Sequence, residues 1–224
     1  MTMTFALPET LRGTAARCLV ALTLLAFGPT PALADAYEDF VFAVSNDRVP
    51  QVKELLAKGI DPNTVAPNGE PVLVIAARFG FAGTVDALLT AKANVNAKST
   101  VGDTAIMAAA LSGYLDLVKT LRARGATIDG AGWTPLIYAA TGGHDAVVTY
   151  LLSEGANVNA SSPNGTTALM MAVREGKAGT ATLLMARGAD VNVRNQNGAT
   201  ALAWALRGNE KALAEQLKRA GARE

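Results

Sequence analysis

Apolar positions in this chain follow a helical rhythm that is interrupted and restarted at regular intervals. They recur at i, i+3, i+4 in Val52/Leu55/Leu56, Val85/Leu88/Leu89 and Val148/Leu151/Leu152, with Ala181/Leu184/Met185 as a variant. That spacing lines one face of a helix. Each stripe is followed by a member of one series: Gly59, Lys92, Gly125, Gly155, Gly188 and Gly221, at intervals of 33, 33, 30, 33 and 33. A second series opens similar phrases at Gly69, Gly102, Gly132, Gly165 and Gly198, at intervals of 33, 30, 33 and 33. Two independent markers therefore share one period and one three-residue deletion, which is the signature of a repeated structural unit.

Within a unit the pattern predicts two short helices. The first starts at Thr104, Thr134, Thr167 and Thr200, where Thr serves as N-cap, and Pro135 suits the first helical position. It ends near Gly80, Gly113, Gly143 and Gly176, with Asp47 and Asn209 at the same place in the outer units; these are the residue types that best accept a left-handed backbone. The second helix carries the stripe and stops at the closing Gly. Lys92 replaces that Gly once, at an expected cost of about 1 kcal/mol if the site is left-handed. Short extended pieces follow, Asn94-Val-Asn96, Asn157-Val-Asn159 and Asp190-Val-Asn192, and then turns. Three turns hold Asn-Gly (Asn68-Gly69, Asn164-Gly165, Asn197-Gly198), a hairpin signal in which both residues accept positive φ. One pair of such helices cannot bury its stripe, but stacked neighbours can. The fold class is therefore an all-α repeat solenoid with projecting β-hairpin loops. Six units fit, at about 36–66, 67–99, 100–129, 130–162, 163–195 and 196–224, with polar substitutions in the outer two.

The first 34 residues read differently. Arg12 and Arg17 precede the apolar run Cys18–Phe27, Gly28-Pro29 breaks it, and Ala32-Leu33-Ala34 places small residues where a signal peptidase reads. Ten apolar residues are too few to span a bilayer, which takes about 20. Cleavage is expected after Ala34, leaving 190 residues (224 less 34). The only Cys, Cys18, lies at the start of the run rather than at the cleavage point, so it is expected to leave with the signal without lipidation. The remainder, 35–224, is expected to be one repeat domain in the periplasm or secreted.

Composition narrows the chemistry. Lys+Arg 20 against Asp+Glu 19 argues against a nucleic-acid binder. One His, His144, and one Cys leave too few groups for a zinc site or a His-activated nucleophile. No phosphate loop, nucleotide fingerprint or nucleophile elbow is present, so no enzyme activity and no cofactor are expected.

The phrase Gly132-Trp-Thr-Pro-Leu-Ile-Tyr-Ala-Ala140, then Gly143-His144, then Tyr150-Leu-Leu-Ser-Glu-Gly-Ala-Asn-Val-Asn159, resembles the ankyrin repeat, over nearly all of 35–224. Where that family often has His after Thr-Pro-Leu, this chain has Val74, Met107, Ile137, Met170 and Ala203, so apolar packing is expected in place of a Thr–His network. The resemblance implies a protein partner, met by the concave face of the first helices and the hairpin tips. With the signal, the chain also resembles small periplasmic ankyrin proteins of Gram-negative bacteria. That gives a second reading, an accessory in oxidative-stress defence that shields or supports a redox enzyme.

Carried onto this sequence, the family's variable positions are Arg78, Phe79, Leu111, Ser112, Thr141, Arg174, Glu175 and Arg207 on the helices, and Lys98, Val101, Asp103, Trp133, Thr166 and Arg194 on the tips. The residues selected as protein-binding are Arg78, Phe79, Leu111, Trp133, Arg174 and Arg207, on a monomer. Phe79 and Leu111 read either as binding groups or as packing between units, and Trp133 as a binding group or as cover for the shortened connection. Arg174, Arg194 and Arg207 read as a solvated mixed-charge face with Glu175 and Glu210, or as an anion or nucleic-acid site. His144 reads as structural. Pairs such as Asp61/Asn63 and Asp190/Asn192 have calcium-like spacing, but they follow the repeat and so read as backbone caps. Asn164-Gly165-Thr166 is a glycosylation sequon and also one of the turns.

Overall fold

The computed structural model describes residues 31–130 and 132–223, and the chain divides into two units at residues 39 and 40. Residues 1–30 of the expected signal lie outside the described residues. Twelve helices occur among those described: α1 (Pro31–Ser45), α2 (Val49–Ala57), α3 (Val72–Arg78), α4 (Ala82–Thr90), α5 (Ala105–Ser112), α6 (Leu115–Ala123), α7 (Pro135–Gly142), α8 (Asp145–Ser153), α9 (Ala168–Arg174), α10 (Ala178–Ala186), α11 (Ala201–Arg207) and α12 (Lys211–Arg219). Among the described residues none is long and apolar enough to cross a membrane.

From α2 onward each helix has seven to nine residues. An isolated helix in water needs about 12–15, so these persist by packing. Helices α3, α5, α7, α9 and α11 pack one on the next, as do α2 on α4 and α6 through α8 to α10. The partners α3/α4, α5/α6, α7/α8, α9/α10 and α11/α12 also touch. The predicted stripes are what they bury: Val52, Val85, Leu88, Val148, Leu151, Ala181 and Leu184 are inaccessible to solvent. Leu117, Val118 and Leu121 supply the same stripe on α6, and Leu213 and Leu217 on α12. The family's His position is filled by buried Val74, Ile137 and Met170, as the apolar expectation requires, while Met107 and Ala203 are partly covered.

The reversals fall where expected. Gly80, Gly113, Gly143 and Gly176 have positive φ, and the positive-φ non-glycines among the described residues are Asp47 (51°), Lys92 (72°) and Asn209 (58°). Three N-cap threonines accept from the backbone three residues on, Thr134 from Ile137, Thr167 from Met170 and Thr200 from Ala203, at 3.1–3.3 Å. Thr104 departs from the expectation: its backbone is extended as a cap should be, but its hydroxyl is buried without a partner. The other three bonds are long, so a small shift at α5 loses this one.

The projecting segments also depart from the expectation. No strand forms among the described residues; two single antiparallel bridges stand there, Val65 to Pro71 and Ser161 to Thr167. In the turns only glycine takes positive φ, because Asn68, Asn164 and Asn197 are not left-handed. Gly69 donates to Ala66 and Ala66 to Glu70, a turn of three residues closed by glycine, and Ser162–Thr166 and Asn195–Ala199 repeat it. Each asparagine before the glycine, or the residue opening the turn, uses its side chain as an acceptor: Asn68 for the Glu70 N–H, Asn164 for that of Thr166 and Asn195 for that of Asn197. This is the three-residue loop with a glycine bulge rather than the two-residue turn.

A second set of side chains joins neighbouring units. The carboxamide oxygen of Asn63 accepts the N–H of Asn94, Asn96 that of Thr127, Asn159 that of Asp190 and Asn192 that of Arg223, at 2.7–2.9 Å. Asp129 takes the N–H of Asn157 across the shortened unit, at 3.1 Å. Within a segment, Asp61 accepts from Asn63 and Asp190 from Asn192, each at 2.8 Å. The Asp/Asn pairs are therefore backbone caps, and they also stitch unit to unit.

Two outcomes test this packing. Leu151 is buried on α8 between α6 and α10, so Leu151→Ala is expected to destabilise by ~2–5 kcal/mol in urea melts; Leu217→Ala, on the last helix of this chain, loses less. Lys92→Gly is expected to raise stability by about 1 kcal/mol, read as a higher melting temperature, because it removes a Cβ from a backbone at φ 72°.

Candidate protein-binding surface

The selected side chains sit at the ends of the first helices. Arg78 is the last residue of α3 and Phe79 caps it; Leu111, Arg174 and Arg207 close α5, α9 and α11. A position at the end of a seven-residue helix escapes the neighbours that bury its middle. Phe79 is accordingly 55% exposed, Leu111 40% and Trp133 37%.

Each also has an internal contact. Phe79 stacks on Phe81 at 5.6 Å between ring centres. Arg78 forms an ion pair with Glu70, whose side chain is nearly buried beneath it. Phe79, Arg78 and Glu70 line one cleft with Val41, Ser45 and Asn68. Trp133 precedes α7 and tilts against Tyr138, 5.8 Å between ring centres, and the Tyr138 hydroxyl donates to Asp103 of the preceding unit. Burial, then the Asp103 carboxylate, hold the Tyr138 hydroxyl far above its ordinary titration range. Trp133, Tyr138 and Asp103 therefore clasp the two units joined by the shortened connection, and Trp133 both covers that joint and presents an accessible indole. Trp133 also borders a narrow cleft with Lys98, Thr104 and Met107.

Other expected positions divide. Val101 projects fully at its tip, at 79% exposure. Thr166, expected on a tip, is instead buried: its backbone N–H turns inward to Ser162 and Asn164, and its side chain follows. Ser112 donates to the Arg78 carbonyl and Thr141 to that of Ile137, so both serve the scaffold. Arg194 donates to the Gly198 carbonyl within its own turn. Arg174 pairs with Glu175 at 3.4 Å, and it faces one cleft together with Arg207. His144 is structural, its Nε2 donating to the Leu111 carbonyl at 2.9 Å. Asn164 is occupied by the Ser162 hydroxyl and the Thr166 N–H, a turn role that accounts for the sequon.

Sequence reasoning overlooked Glu70, Tyr138, Asn195 and Trp204. Glu70 had a usable signal, since it directly follows a turn glycine as Asp103 and Trp133 do. The others depend on inter-unit packing that no local pattern carries.

The family model described as "Ankyrin repeats (3 copies)" matches residues 40–131, 102–162, 124–195 and 159–223, overlapping stretches that run from 40 to 223. Similar proteins include the mouse ankyrin repeat and SAM domain-containing protein 6, 45% identical over 50% of this chain and 14% of that protein. The L-asparaginase of Dirofilaria immitis is 29% identical over 57% of this chain and 22% of the enzyme. Human protein phosphatase 1 regulatory subunit 27 is 43% identical over 29% of this chain and 44% of that protein. The chain thus spans less than half the length of each. On the family match and on the stacked helix pairs, this chain belongs to the ankyrin repeat family, whose members typically act as non-enzymatic interaction modules.

Proposed function

We propose that this chain is an exported scaffold of six ankyrin units that docks one protein partner on the ends of its first helices and the adjoining turns. It performs no catalysis and acts in the periplasm or outside the cell, after removal of residues 1–34. The unit boundaries follow the two glycine series, at about 36–66, 67–99, 100–129, 130–162, 163–195 and 196–224. The observation that carries the reading is the exposure of Phe79, Leu111 and Trp133, which stand with Phe42, Val101, Tyr114 and Leu206 among the large apolar side chains left open to solvent. Exposed aromatics contribute most when a partner excludes water from them. The description of one relative as a phosphatase regulatory subunit agrees with a role exerted through a second protein. Export rests on the apolar run after Arg17 and on Ala32-Leu33-Ala34.

Phe79→Ala and Trp133→Ala are each measured by thermal melt and by capture of partner from an extract of the exported fraction. The expected result is capture weakened by ~2 kcal/mol or more for at least one variant; a clearly lowered melting temperature with capture unchanged assigns both rings to packing. For export, N-terminal sequencing of the exported protein is expected to begin at Asp35, and a sequence beginning at Met1 or Met3 refutes cleavage.

A further inference from the structure

The cleft between α9 and α11 has a donor-rich lining that the shared scaffold does not require. It encloses about 440 Å³ and is bordered by Arg174, Asn195, Asn197, Trp204 and Arg207, with no acidic side chain among the lining residues. That volume lies within the ~300–1,000 Å³ typical of ligand sites.

Asn195 is the informative residue. It is 8% exposed, and its carboxamide oxygen accepts the N–H groups of Asn197 and Ala199, each at 3.0 Å. Its other end, the Nδ2 amide, makes no hydrogen bond to the described residues but is not sealed from solvent, so it is open to an acceptor in the cleft. An acceptor on a ligand can take the place of water on that amide. Ser162 stands at this place in the preceding turn and uses its hydroxyl as both acceptor and donor, so that turn offers no free donor. Arg207 is exposed and has no carboxylate partner among the described residues. Arg174 engages Glu175 through Nε, so the outer nitrogens of its guanidinium remain. The Trp204 indole N–H likewise has no acceptor among the described residues, and the indole supplies an apolar wall.

We propose that this cleft binds a carboxylate-bearing peptide segment of the partner. Two guanidiniums present forked donors that match carboxylate geometry, the Asn195 amide adds a third donor, and Trp204 covers the neighbouring apolar part of the peptide. A nucleic acid fits less well. Its affinity depends on many phosphate contacts, whereas the cleft offers two arginines, with exposed Glu175 capping the end of α9 and exposed Glu210 the start of α12. The inference rests on the reading that the chain binds protein, but not on Phe79 or Trp133, which border other clefts.

The test uses the whole chain and two fluorescent peptides of one length, one rich in Glu and one with every Glu replaced by Gln. The Glu peptide is expected to bind, more weakly as ionic strength rises, and the Gln peptide to bind at least tenfold more weakly. Arg174→Gln and Arg207→Gln are each expected to lower affinity for the Glu peptide about tenfold. Asn195→Ser, which keeps an acceptor for the turn but removes the amide donors, is expected to lower it with the melting temperature retained. Phe79→Ala and Trp133→Ala are expected to leave it unchanged, so failure of the aromatic face and failure of this cleft read out separately. Equal binding of the two peptides, or full affinity in both arginine variants, overturns the proposal. So does a single-stranded oligonucleotide that binds more tightly than the Glu peptide and depends on the same arginines.

Discussion

The stack depends on one tight contact, made where a first helix turns back into a second. The residue at the reversal must be left-handed, and the side chain that opens the second helix of the following unit covers it. At Gly113 this is most constrained: φ is 79°, and a Cβ there would stand 2.4 Å from Nδ1 of His144. The His144 ring is fixed in turn by the Leu111 carbonyl. Glycine therefore answers two demands at once, positive φ and the absence of a side chain, and the second comes from a neighbour about 30 residues away. Helices of seven to nine residues could not form alone, so these reversals, by bringing each pair onto the next, precede everything else in the fold.

The Asx ladder explains why one unit could lose three residues without breaking the array. Most rungs join residues 31 apart, and the rung from Asp129 to Asn157 joins residues 28 apart. The deletion therefore lies in the connection before α7, while the rung, the helices and the reversals persist. What it removes in local cover is supplied by Trp133 against Tyr138 and by Tyr138 on Asp103. Cross-unit ion pairs add little to this. Arg124–Asp86 is exposed and Arg122–Glu154 half-buried, and exposed pairs contribute about 0–1 kcal/mol.

What could be read in the sequence was whatever repeats. Periodic glycines gave the reversals, the i, i+3, i+4 stripes gave the buried face, and Asp47, Lys92 and Asn209 were placed correctly as left-handed substitutes. The Asp/Asn pairs were legible as caps because their period was that of the units. Illegible were features in which one unit differs from the next. Thr104 has the same place in its unit as its capped counterparts, yet its hydroxyl is buried without a partner. The Asn-Gly turns contain the dipeptide of a two-residue hairpin, but Asn does not take positive φ; in two of them its side chain accepts from the chain ahead, and in the third Asn195 does so in its place. Thr166 looked like a tip residue by position and is buried by its own turn.

The same division decides where recognition can reside. Helix middles are committed to the core, reversals to glycine, and the extended segments to the ladder, so a substitution at any of them disturbs a neighbour. The ends of the first helices and the residues flanking the turn glycines are freer, and there the units stop resembling one another: Arg78 on α3 and Phe79 capping it, Leu111 on α5, Arg174 on α9, Arg207 on α11. Stability is a sum over near-identical contacts between neighbours, which leaves these positions able to differ with little effect on the fold. An apolar, aromatic stretch in the earlier units and a donor-rich cleft in the later ones can therefore coexist on one scaffold. Their spacing is fixed by a ladder of backbone caps that neither surface has to share.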